Sequence, residues 1–162
     1  MGIKVFAPYW AENVKRAKTR LGEFEIESFD LPHNGTENRG FLIKVDGTTI
    51  CYLTDLEYCK WDLSSKEINV MLIELNYQTE RIADMDNHRQ HTVLGHCEEK
   101  TTIGIIENSM KHLRNVILCH MSNSGALDRE LAMKNIREVI PAYISVEWAV
   151  PGQTYDVSEI PF

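Results

Sequence analysis

Two histidines and an aspartate, His33, Asp55 and His120, each stand just after a short apolar run, and a carboxamide, Asn76, does the same. The runs cover residues 24–31, 49–54, 70–75 and 115–119, each with the length and composition of a buried strand. If they lie side by side in one sheet, their exits share an edge. Edges of that kind are where α/β proteins gather side chains from separate segments into a crevice. Two imidazoles and a carboxylate meeting there make a partial metal site, since zinc and manganese take neutral imidazole and carboxylate as ligands. Taken singly, a histidine after a strand is more often a surface or packing residue.

The elements that must position these residues follow from periodicity. Residues 3–7 read as a strand, and residues 8–21 carry helical spacing at Trp10, Val14, Ala17 and Leu21, closed by Gly22. Residues 24–31 alternate, 33–40 read as a polar loop, and 41–45 with 49–53 form a hairpin around Asp46-Gly47. The run 70–75 is apolar except for Glu74, as a strand buried on both faces would be. Residues 78–95 read as an irregular helix followed by a loop, with Asp84, Asp86, His88, Arg89 and His91 on a solvated stretch. A helix over 98–113, a strand over 115–119, a helix over 127–139 stopped before Pro141, and a strand over 143–146 complete the series. Strands and helices interleave throughout, so the fold class is α/β, a mixed β-sheet with flanking helices. No internal boundary is evident, and residues 1–162 read as one domain.

Composition is that of a water-soluble protein, with 43% hydrophobic and 25% charged residues. No apolar stretch is long enough for a membrane span and no signal-peptide core opens the chain, which makes the cytoplasm the expected location. Cys51, Cys59, Cys97 and Cys119 show no paired spacing and read as free thiols. A net charge of −7 argues against a surface for long polyanions. It leaves a phosphodiester substrate open, because bound divalent ions would dominate the charge where reaction occurs.

The segments Phe29-Asp-Leu-Pro-His33, Tyr52-Leu-Thr-Asp55, Ile73-Glu-Leu-Asn-Tyr77, Leu94-Gly-His96 and Leu118-Cys-His120-Met-Ser122 follow one another in this order. Together they resemble the C-terminal half of metallo-β-lactamase-fold hydrolases, in the branch that contains tRNase Z, the phosphonate-pathway cyclic phosphodiesterase and WalJ-type exonucleases. The resemblance implies half of an αββα sandwich. It implies that His33 and His120 are ligands of two different metals, zinc or manganese, with Asp55 bridging them. Glu74 and His96 become an acid and histidine pair that delivers a proton to the leaving oxygen. The implied reaction is metal-dependent hydrolysis of a nucleotide or nucleic-acid phosphodiester.

One departure is large. The family's main metal motif, His-x-His-x-Asp-His, is absent from these residues, so the site is expected to be incomplete. Two readings stay open. The chain is one half of a phosphodiesterase, inactive until a complementing half joins it, or it is a non-catalytic relative that binds a protein partner as an inhibitor or regulator. Either reading leaves one sheet face uncovered, at residues such as Ile43, Val45 and Tyr52, and leads to the expectation of a homodimer or an obligate protein partner there.

Overall fold

The computed structural model describes residues 19–157, apart from positions 84 and 124 and the side chains of residues 88, 89 and 92. The expected strand 3–7 and most of the expected helix 8–21 lie outside that range. Where the range begins, the helix reading fails: Thr19–Leu21 is a strand, β1, paired with β2 (Phe24–His33) through Leu21 and Phe24. Gly22 does adopt a left-handed backbone, φ 62°, but it turns a hairpin and does not end a helix.

β2 continues into β3 (Thr36–Val45) through Asn34-Gly35, and β3 into β4 (Thr48–Leu53) through Asp46-Gly47. Both two-residue turns have two positive φ values, 43° and 74° in the first and 48° and 74° in the second, the backbone that matches strand twist. The expected loop 33–40 is therefore mostly strand. Its polar residues belong to a hairpin tip that reaches past the core, where Thr36 and Glu37 face water. Gly40 is required within it, because a Cβ there would lie 2.7 Å from two ring carbons of Phe29.

The sheet continues with β5 (Val70–Glu74), β6 (Asn115–Cys119) and β7 (Ser145–Trp148), giving seven strands in sequence order. β1 to β4 are antiparallel, and β4 to β7 run parallel. Parallel neighbours need crossovers. These hold α1 (Thr79–Ile82), α2 (Asn87–Leu94) and α3 (Glu99–Asn108) between β5 and β6, and α4 (Arg129–Val139) between β6 and β7. The second part of the expected irregular stretch 78–95 is thus a helix, α2, and not a loop. β7 begins two residues later than expected because Ile144 closes a turn onto Pro141.

α3 and α4 begin at side-chain caps, with Glu98 accepting from the Lys100 amide and Asp128 from the Leu131 amide. Ile106 of α3 and Ala132 and Ile136 of α4 are fully buried against Cys51, Leu53, Met71, Ile73, Val116 and Leu118 on one sheet face. The opposite face carries Ile26, Phe41, Ile43, Ile50, Tyr52 and Leu72 in register across four strands, half-buried or exposed. No helix among the described residues is long and apolar enough to cross a membrane.

Candidate metal centre

The exits of β2, β4, β5 and β6 deliver His33, Asp55, Glu74 and His120 to one edge of the sheet, and the turn after α2 adds His96. All five residues singled out in the sequence meet there. Oδ1 of Asp55 stands 3.9 Å from His33 Nε2, 3.7 Å from His96 Nδ1 and 3.3 Å from His120 Nε2. The His96 ring lies between the other two, with centroids 5.0 Å from His33 and 5.3 Å from His120.

Glu74 is the anchor beneath them, wholly buried at the end of β5. Its Oε2 accepts from the Leu56 amide at 2.9 Å, and its Oε1 accepts from Asn76 Nδ2 and His120 Nδ1, each at 3.0 Å. A carboxylate at a strand end commonly reaches water, but this one does not. Burial alone would push this carboxyl up, but the contacts from His120, His96 and the Leu56 amide outweigh it and hold the group below the ordinary carboxylate range. The same hydrogen bond from Glu74 pushes the His120 imidazole up against partial burial, helped by the charges of Glu74 and Asp55.

Hydrogen bonds fix which nitrogens face Asp55. His33 Nδ1 lies 2.8 Å from the carbonyl oxygen of Gly95, which can only accept, so Nδ1 carries the hydrogen and Nε2 the lone pair. His120 Nδ1 donates to Glu74 in the same way, again leaving Nε2 toward Asp55. With both imidazoles neutral, two lone pairs and a carboxylate oxygen converge, an arrangement that favours a cation among them; a proton on His120 answers the same demand, which is why that ring is pushed up. This donor set fits a divalent metal: two ligands at about 2.0–2.2 Å from one tetrahedral zinc stand roughly 3.3–3.6 Å apart, close to the spacings around Asp55.

The backbone is strained at the same two points. Asp55 and His120 both adopt φ 54°, a left-handed conformation that costs about 1–3 kcal/mol for residues other than glycine. An asparagine amide holds each carbonyl: Asn38 Nδ2 donates to the Asp55 oxygen, and Asn76 Nδ2 donates to the His120 oxygen at 2.9 Å. Asn76 was legible in the sequence as a strand-exit residue. Asn38, in the hairpin read as a loop, carried no signal. Cys119, the register partner of Glu74, is half-buried and is pushed up to about 12 by burial, with the Glu74 and Asp55 charges adding.

No protein-family model matches this sequence, and no curated protein matches it. Solved structures do. The metallo-β-lactamase fold protein YhfI from Bacillus subtilis aligns with a TM-score of 0.61 at 20% identity, over 82% of this chain and 48% of its own. A diphosphatase from the PhnP family aligns with a TM-score of 0.56 at 13% identity, over 84% and 44%. Zinc-bound PqqB from Methylobacterium extorquens aligns with a TM-score of 0.59 at 15% identity, over 88% and 54%. The chain has the metallo-β-lactamase fold, and it spans about half the length of these three proteins.

Proposed function

We propose that this chain is the C-terminal half of a metal-dependent phosphodiester hydrolase of the tRNase Z and cyclic phosphodiesterase branch. The observation that carries the reading is the convergence of the His33 and His120 Nε2 lone pairs on Asp55. In this reading His33 and His120 hold separate ions, zinc or manganese, and Asp55 lies between them. A divalent ion there supplies Lewis acidity toward a phosphoryl oxygen. Asn76 and Asn38 fix the backbone of His120 and Asp55, and Glu74 fixes the His120 ring. His96, with Nδ1 2.8 Å from Glu74 Oε1, is positioned to hand a proton to the departing alkoxide.

The remaining ligands come from an N-terminal half carrying His-x-His-x-Asp-His, which seats on the sheet face of Ile43, Ile50 and Tyr52. That face is apolar and lies beside the ligand cluster, and covering it stabilises by roughly 25 cal/mol for each Å² removed from water. Four free thiols among the described residues suit a cytoplasmic setting.

The test is to load the purified chain with manganese or zinc, count bound ions, and follow hydrolysis of bis(4-nitrophenyl) phosphate. Measurements are made alone and after co-expression with a polypeptide bearing the missing motif. Metal uptake with turnover only in the complemented sample is the expected result. Failure to bind either ion, or complementation without turnover, transfers the chain to the class of non-catalytic protein binders.

A further inference from the structure

Among the described residues, two groups of side chains bring three potential ligand atoms within 4.8 Å of one another: His33, Asp55 and His96 in one, and Glu74, His96 and His120 in the other. They are not equivalent. In the second, Glu74 is already occupied, with hydrogen bonds from Leu56, Asn76 and His120. His120 reaches it through a hydrogen-bearing Nδ1, which has no lone pair to offer on that side. This group is a hydrogen-bond hub.

The first group is free to bind. His33 Nε2 presents its lone pair, fixed by the bond from Nδ1 to Gly95. Asp55 offers Oδ1 on a side chain that is 39% exposed, so an ion can enter from solvent. His96 Nδ1 stands 2.8 Å from Glu74 Oε1, a carboxylate oxygen that accepts, so Nδ1 carries the hydrogen and the ring's lone pair is on Nε2.

We infer that the chain by itself holds one divalent ion through His33 Nε2, Asp55 Oδ1 and the imidazole of His96, with His96 a direct ligand. The inference rests on the metal reading above and deepens it. His96 serves as a ligand while the complementing half is absent and is released to its proton-donor role when that half brings its own ligands. His120 remains bonded to Glu74 throughout and does not hold this first ion.

Cobalt(II) tests this without reference to turnover, since its visible absorption reports ligand number and type and its titration gives stoichiometry. The wild-type chain should take up one ion. His33→Ala, Asp55→Asn and His96→Ala should each weaken binding by at least about tenfold, as losses around a metal site do. His96→Gln, which keeps a polar side chain of similar reach, separates loss of the ligand from loss of folding, and circular dichroism checks each variant. His120→Ala should leave the affinity within about threefold, well short of that loss. Two ions per chain, or binding that survives both His96 variants and fails in His120→Ala, overturns the inference while leaving the metal reading standing. A wild-type chain that takes up no ion overturns both.

Discussion

Glu74→Gln should cost the metal-free chain about 3 kcal/mol, with a pH signature that identifies the cause. The amide oxygen of glutamine can still accept from Leu56, but its NH₂ group then faces Asn76 Nδ2 and His120 Nδ1, donor against donor. Two charge-assisted hydrogen bonds at about 1.5–3 kcal/mol each are lost, about 3–6 kcal/mol in all. Two effects reduce that. A neutral amide is cheaper to bury than a carboxylate, and His120, with its side chain 41% exposed, can turn to water. Glu74 is held below its ordinary value of 4.5, so its contribution is full above that pH and is lost as pH falls through the lower folded value. His120 is held above 6.5, so its contribution is full below that pH and is lost as pH rises through the raised folded value. The gap between wild type and variant is therefore widest between 4.5 and 6.5 and narrows on either side. Urea denaturation followed by circular dichroism across this range measures it. Equal midpoints, or a gap that does not change with pH, would refute the assignment of Glu74 as the charged anchor.

Three further outcomes follow from the packing. Asn76→Ala should cost about 1–3 kcal/mol by freeing the His120 carbonyl and removing a donor from Glu74, read by urea denaturation. Gly40→Ala should destabilise by about 1–3 kcal/mol through its clash with Phe29, whereas Gly104→Ala, in α3 with no atom within 4 Å of a new Cβ, should stabilise by about 0.5–1 kcal/mol; thermal melts of the pair decide this. With a thiol reagent at neutral pH, Cys59 should react first, while Cys51 and Cys97, both buried and with Cys97 pushed up to about 12 by burial, should react only on unfolding; mass spectrometry of labelled peptides reports the order.

The parallel half of the sheet was readable because its strands are unbroken apolar runs, and 115–119 matches β6 to the residue. Asp55, Asn76 and His120 could be assigned to one edge for the same reason: parallel neighbours all end on one side. The antiparallel half was less legible. Asn34-Gly35 is a hairpin signal as strong as Asp46-Gly47, but the polar residues after it concealed a strand whose tip projects beyond the core. The end of the apparent helix 8–21 is β1, since edge pairing with β2 prevails over local spacing in Thr19–Leu21. The role of Asn38 in holding Asp55 could not be read at all, because it depends on two strands being adjacent in space.

β4, β5 and β6 are hydrogen-bonded neighbours, so Asp55, Glu74 and His120 are set apart by the pitch of the sheet, about 4.7–4.9 Å per strand. The sheet thereby acts as a ruler for the ion-binding edge. A slip of one residue in β5 would turn Glu74 to the helix-covered face and bring a leucine or isoleucine to the edge in its place. Such a misfolded chain could keep its strand content and still be unable to orient His96, whose Nδ1 lies 2.8 Å from Glu74. Uptake of an ion is thus a chemical assay of strand register, able to separate correctly zipped molecules from compact, mispaired ones that spectroscopy of the backbone would count as folded.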